Sequence, residues 1–316
     1  MDIDFHFGTM YVLSRWAGFD EYSAKLLASA SQYVDDSNNS ISGHRPWEKF
    51  TCYGCYYDDI KIWLPFHFLP SLDGNNTIGQ ITCRKNSTMA DYLVKFMLSI
   101  EKLMSHDYIG CSEHDYSNIL RLGISTHVYA DTWAHSGFCG FISINNKINN
   151  FKVIYPAKLE EHFWTYNFDS SELPLAHEQA VYWPDIPYAK WRCAPLHPNS
   201  IKNWDEFMEA SRAIYKILAW LYKKSPELTP LQEQLLLDSF KNIQSEDRLE
   251  RNNIWLTKIS NDEFGFIDNF PHGETLEYSS YFMYEDDDLY SQFYAALNDH
   301  YNWVKENLEA IGINIL

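Results

Sequence analysis

Three residues spaced four apart carry the strongest chemical signal in this chain. In "THVYADTWAHSGF", His127, Asp131 and His135 fall at i, i+4 and i+8. A helix turns about 100° per residue, so each four-residue step drifts only about 40° around the axis and the three side chains share one stripe. The stripe runs along roughly 12 Å, more than one metal ion needs. His127 and Asp131 can share one ion, the second oxygen of Asp131 can bridge to another, and His135 can serve an ion one turn further on. Two imidazoles around a carboxylate in an otherwise apolar helix are costly to bury without a partner. His/Asp ligation of this kind suits zinc, and also manganese or iron.

The opening stretch "MDIDFH" raises the same question. Asp2, Asp4 and His6 alternate with Ile3, Phe5 and Phe7. In an extended segment the three polar residues share a face and the apolar ones pin the strand to the core. In a helix only Asp2 and His6 meet, at i and i+4. In both cases Asp2 and His6 reach one point. Other polar residues sit in apolar surroundings: Asp35 and Asp36 after "SAKLLASASQYV", His67 in "LPFHFLP", and His177, Glu178 and Asp185 in "LAHEQAVYWPDIP". The pairs His106-Asp107 and His114-Asp115 lie in a polar connection and read as surface.

The elements that must position these groups are mostly helical. Residues 9–18 and 20–34 read as two helices separated by Gly18-Phe19, with Asp20 as N-cap. "STMADYLVKFMLSIEKLM" opens on Thr88-x-x-Asp91, a capping-box pattern, and has helical apolar spacing. The stretch around His127 is a second strong helix. A third starts at an Asn203 cap, a fourth has Pro230 in its first turn, and the last ends near Gly312. Residues 43–85 read as irregular, with "IKIWLPFHFLP" extended or loop, and residues 140–202 as loop-rich with six prolines. No linker or internal repeat divides the chain. The expected architecture is one mainly α domain over residues 1–316, a helical bundle with long loops around a multi-metal cleft.

Composition narrows the class. The chain has 316 residues, 46% of them hydrophobic, enough to bury a core. A net charge of −18 disfavours bulk nucleic acid as the partner. No apolar run approaches the length of a membrane span, and the acidic start is no signal peptide, so a cytoplasmic location is expected. Six cysteines are too few for a disulfide scaffold, and Cys52-x-x-Cys55 stands without the second pair that a zinc site needs.

Taken in order, His6, the acidic pair Asp35-Asp36, His67 and the helical His127-x-x-x-Asp131 resemble the zinc-dependent phospholipase C and single-strand-specific nuclease superfamily. More of the chain resembles a bacterial family of unassigned function that opens with the same "MDIDFH". The superfamily resemblance implies a mainly α fold holding three zinc ions in a cleft. It implies one ion on Asp35 or Asp36, His67, His127 and Asp131. It implies a second on His6, the bridging Asp131 and the N-terminal residue, a place where Asp2 or Asp4 can supply an oxygen. It implies a third on His135 with His177 and Asp185 or Glu178. The eight-residue step from His127 to His135 departs from the usual ten.

Such clustered ions imply hydrolysis of a phosphoester, either a small one or a phospholipid head group, with Asp35 or Asp36 also orienting the attacking water. Tyr129, Trp133 and Trp183 then either line the substrate slot or belong to the core. Two other readings use the same residues. An HD-type nucleotide phosphohydrolase needs His67, His106-Asp107 and Asp131 around one ion. A non-catalytic scaffold needs only closed, structural metal sites.

Overall fold

A computed structural model describes residues 1–36, 60–99, 115–154, 161–162, 173–266, 276–279, 287–314 and 316. Among these, ten α-helices and a small antiparallel sheet make a mainly α fold. The chain starts in a wide π-type turn over Asp4–Thr9 that runs into α1 (Met10–Ala17). Helix α1 stops at Gly18, whose φ of 108° is the left-handed geometry that glycine adopts without a Cβ clash. Asp20 then caps α2 (Glu21–Asp36), accepting from the Ser23 amide at 2.9 Å.

The centre of the molecule is α6 (Ser117–Ala134), almost wholly buried from Ile119 onward. Helices α2, α5 (Thr88–Leu98), α7 (Asn203–Leu221) and α10 (Asp287–Glu309) surround it, and α3 (Ile60–Phe66) bridges α10 to α6. The α2–α6 approach is set at Gly123. A Cβ there would lie 2.6 Å from the Leu27 carbonyl oxygen and 2.7 Å from the Ala30 Cβ, so only glycine permits this spacing. That contact brings the end of α2, with Asp35, against the stripe of α6 that carries His127 and Asp131.

Several local expectations change. The "IKIWLPF" run is helix α3 despite Pro65, because burial of Leu64, Pro65 and Phe66 outweighs proline's penalty near the end of a seven-residue helix. A short helix, α4 (Thr77–Ile81), also falls in the stretch read as irregular. Ser87, not Thr88, caps α5, accepting from the Ala90 amide at 3.2 Å, while the Thr88 hydroxyl donates to Asp73. Helices α8 (Pro230–Asn242) and α9 (Arg248–Ser260) follow α7; α8 has its capping box at Thr229, and no element was expected at α9.

The stretch read as loop holds β1 (Asn149–Ile154), β2 (Glu161–His162), β3 (Lys190–Ala194) and β4 (His197–Lys202), in the order β2-β1-β3-β4. These strands are short, and β4 is a polar edge strand, so little alternation was there to read. Trp191 and Cys193 of β3 point inward and join Phe68, Phe138, Trp183 and Tyr188 in a second apolar cluster beside the main core. Tyr129 and Trp133 of α6 belong to the main core. Among the described residues no helix is long and apolar enough to cross a membrane.

Replacing Gly123 by alanine should destabilise the fold by about 1–3 kcal/mol, the usual cost of forcing a methyl into a tight contact. Denaturant unfolding measures it; an unchanged midpoint would show that the two helices do not approach this closely.

Candidate metal centre

Asp131 is the hub. It leaves α6 with 1% of its surface exposed, and both oxygens are crowded. Oδ1 pairs with the α-ammonium group of Met1 and lies 3.1 Å from His6 Nε2. Oδ2 lies 3.3 Å from His67 Nδ1, 3.4 Å from His127 Nε2 and 3.6 Å from His135 Nδ1. Asp35 approaches from α2, with Oδ1 at 3.7 Å from His67 Nδ1 and 3.8 Å from His127 Nε2. Gln32, one turn earlier, donates to Oδ2 of Asp35 at 3.3 Å and steadies that carboxylate.

A second group sits where α6 ends. His135 Nε2 lies 2.8 Å from Asp185 Oδ1, and His177 Nε2 lies 3.4 Å from Asp185 Oδ2. The other nitrogen of each ring faces a backbone carbonyl: His135 Nδ1 donates to His67 at 2.7 Å and His177 Nδ1 donates to Val181 at 2.8 Å. A carbonyl only accepts, so each Nδ1 carries a hydrogen and each Nε2 faces Asp185. Asp131 and Asp185 raise the pKa of His135 against its burial, so its Nε2 can hold a proton donated to Asp185, and the Met1 ammonium lies 3.1 Å from the same Asp185 oxygen. A metal ion would take the place of these positive charges. A carbonyl on the far nitrogen is also the usual outer support of a metal-bound histidine. The His177 loop is held in a costly backbone shape, with Ala176 at φ 50° and Val181 at φ 55°.

The donor atoms fall into three groups, each within 4.8 Å: His6, His127 and Asp131; Asp35, His67 and His127; His135, His177 and Asp185. His6 Nδ1, His67 Nε2 and His127 Nδ1 are buried without hydrogen-bond partners. Burial lowers the basicity of His6, His67 and His127 and pushes His177 down to about 4, so these rings present neutral lone pairs. Burial raises Asp35 to about 7. Burial opposes the charge on Asp131 and Asp185 as well, but the Met1 ammonium and the positive charge of neighbouring imidazoles, among them His135, whose own pKa these carboxylates raise, outweigh it and hold both carboxyls well below their usual range. Those carboxylates in turn raise the buried Met1 amine to about 11. Neutral imidazoles and ionised carboxylates gathered in a buried space are a donor set that fits divalent transition ions.

The structure does not bring every candidate to this cluster. The opening segment is helical, and Asp4 and His6 are as buried as Ile3, Phe5 and Phe7, so beyond the half-buried Asp2 a two-residue alternation had no exposed face to report. Asp2 and His6 sit one helical turn apart, joined by a backbone hydrogen bond of 3.1 Å, but their side chains diverge because two arginines hold Asp2. Asp2 pairs with Arg248 Nε at 2.8 Å and with Arg251, and Asp4 accepts from Arg251 Nε at 2.8 Å. Met1, rather than Asp2 or Asp4, stands beside His6 and Asp131. Asp36 accepts from Arg248 at 3.0 Å and from the Tyr278 hydroxyl at 2.7 Å, which turns it away from the histidines that Asp35 faces. Glu178 accepts from the Leu175 amide and leaves the third group to Asp185. His106, Asp107, His114, Cys52 and Cys55 lie outside the described residues. Trp183 is buried in the second apolar cluster, not free to line a slot.

Supporting residues were missed. Asn203, expected as a helix cap, instead donates to the carbonyls of Trp183, Pro184 and Ile186 at 2.7–3.1 Å, clamping the turn that carries Asp185. Only its isolated position before an amphipathic helix was visible in sequence, and a cap explained that equally well. Arg251 is 1% exposed and ties Asp2 and Asp4 to the Ser245 carbonyl.

The sequence profile of a family of unknown function, DUF6765, matches residues 1–309. The chain belongs to that family. No curated protein and no solved structure matches it. In this DUF6765 chain the match runs from the opening segment to the end of α10, so it includes every residue of the three donor groups.

Arg251→Met should cost about 3–5 kcal/mol of stability, because it strands the Asp4 carboxylate in the core without its partner. Thermal or denaturant unfolding measures it. A loss below about 1 kcal/mol, typical of an exposed pair, would show that the opening segment is not anchored this way.

Proposed function

We propose that this protein is a metal-dependent hydrolase of phosphoesters that holds two or three divalent transition ions, zinc foremost. The observation that carries the metal reading is the gathering of His135, His177 and Asp185, with both rings fixed by carbonyls behind them so that both Nε2 atoms face one carboxylate. His6, Asp131 and the deprotonated Met1 nitrogen would hold one ion. Asp35, His67, His127 and Asp131 would hold a second, and His135, His177 and Asp185 a third. Asp131, with Oδ1 toward His6 and Oδ2 toward His67 and His127, would serve both of the first two ions. The choice of phosphoester rests on the resemblance of these motifs to the zinc-dependent phospholipase C and single-strand-specific nuclease superfamily.

Bound ions supply polarisation of a phosphoryl oxygen and a water of lowered pKa. The residues supply the rest. Asp35 is the ligand-group carboxylate closest to neutral pKa, and at 24% exposure it reaches the open side of the cluster. It can take the proton of an attacking water at a carboxylate oxygen, while Gln32 keeps it oriented. Asp36, held by Arg248 and Tyr278, supports the wall of the site instead of the chemistry.

Purified protein should carry two or three ions per chain by elemental analysis. Asp131→Ala should lose more metal than His135→Ala, because Asp131 serves two groups; equal single-ion losses would contradict the bridging role. Less than about one ion per chain, with no uptake on titration, would overturn the metal reading, and a loaded protein inert toward mono- and diesters would overturn the phosphoester reading. Uptake should also release protons. The Met1 amine is protonated below about 11 and Asp35 below about 7, and ligation needs both bare. Affinity should therefore rise from about pH 6 to about pH 8, by roughly tenfold per unit for each proton displaced. Calorimetry in buffers of different ionisation enthalpy reads the proton count, and a buffer-independent heat would contradict it.

A further inference from the structure

The candidate centre is closed on most sides. His6, His67, His127, Asp131 and His135 have side chains only 0–5% exposed, whereas Asp35 (24%), Asp2 (22%), Asp185 (18%) and His177 (15%) reach solvent. Arg248, at the start of α9, stands on this open side with 39% of its side chain exposed. Its Nε faces Asp2 Oδ1 at 2.8 Å, and both Nη atoms reach Asp36 Oδ1 at 3.0 Å. Asp36 is the sequence neighbour of Asp35, and the charges of Arg248 and Asp35 act on one another. The two carboxylates therefore hold the guanidinium beside the centre, in a place where water reaches it.

Arg251 makes the contrast. It is buried, and its three nitrogens all end on Asp2, Asp4 and backbone carbonyls, which is a structural role. The hydrogen bonds of Arg248 run to Asp36, one from Nη1 and two from Nη2, while Nε is buried facing Asp2, which leaves an Nη1 hydrogen for a ligand. A guanidinium offers paired N–H groups that match the oxygens of a phosphoryl group better than an ammonium does. An anion entering a mouth lined by Asp2, Asp35 and Asp185 needs such a counter-charge.

We propose that Arg248 is a specificity-determining residue that receives a phosphoryl oxygen at the mouth of the centre and selects an anionic phosphoester over a zwitterionic one. This rests on the phosphoester reading above. It names the substrate class: a phosphomonoester or phosphodiester with no cationic head group.

The test compares wild type, Arg248→Lys and Arg248→Met, each loaded with metal and matched for metal content. Inorganic phosphate binding is measured by calorimetry. Hydrolysis is measured on bis-(4-nitrophenyl) phosphate, 4-nitrophenyl phosphate and the zwitterionic 4-nitrophenyl phosphorylcholine. Arg248→Met should weaken phosphate binding by about tenfold or more, as expected for loss of a charge-assisted pair. It should raise KM for the anionic esters more than it lowers kcat, and raise KM less for the zwitterion, which loses the same phosphoryl contact but is freed from repulsion between its ammonium group and the guanidinium, so that the preference for the anionic esters shrinks. Whichever anionic ester shows the larger KM change distinguishes a monoester from a diester substrate. Arg248→Lys should fall between the two. If Arg248→Met does not fold, Arg248→Lys decides alone, with at least about threefold weaker phosphate binding expected.

Equal phosphate affinity in wild type and the folded variants, or no phosphate binding by wild type, overturns the role of Arg248. A wild type that hydrolyses the anionic esters with a KM the variants share also overturns it, while leaving the hydrolase reading intact. A wild type that binds phosphate through Arg248 but hydrolyses nothing overturns the hydrolase reading and supports the anion site.

Discussion

One buried carboxylate sets the terms for the rest of the molecule. Asp131 sits at the middle of the protein with almost no access to water. A carboxylate in that position costs several kcal/mol unless charge and hydrogen bonds surround it. Five groups from three parts of the chain supply that environment: the Met1 ammonium and His6, His67, and the His127–His135 pair at the end of α6. Three of those rings leave their other nitrogen buried without a partner, so the cluster as it stands is only partly satisfied. A cation among the donors would bind the nitrogens that face Asp131, which are His6 Nε2, His67 Nδ1 and His127 Nε2, and let the buried site hold more negative charge.

The scaffold can be understood as what keeps those groups in reach. Gly123 lets α2 and α6 touch, which delivers Asp35. Arg251 ties down the opening turn, which delivers Met1 and His6. Asn203 clamps the turn before β3, which delivers Asp185. The His67 carbonyl fixes the ring of His135 and so couples the two groups of donors. Each support is buried and each works through geometry that glycine, arginine or asparagine alone provides. The open side, with Asp35 and Arg248, is where exposure and unused hydrogen bonds remain.

Sequence made some of this legible. Residues on a helical stripe, such as His127, Asp131 and His135, can be read because a 3.6-residue period places them without knowledge of the fold. The main helices followed from the same periodicity, and the Asp20 cap and the first-turn Pro230 from local chemistry. The opening segment misled because alternation implies a strand only when one face is wet, and here both are buried. Asp2 and Asp4 were drawn to the site by their residue type, yet they answer to Arg251, some 250 positions away in the chain. Asn203 looked like a cap because a cap and a tertiary clamp use the same side chain. The sheet escaped notice because its strands are short and its edge strand polar.

The central claim is that Asp131 and its neighbours are a metal centre. Anomalous diffraction at the zinc edge from crystals of the zinc-loaded protein tests it most directly. The account predicts two or three peaks, each within about 2.0–2.2 Å of donor atoms from one of the three groups, with Asp131 touching two of them. A zinc-loaded crystal with no peak among these residues, or with peaks only at surface carboxylates and Asp131 still paired to Met1, would contradict it.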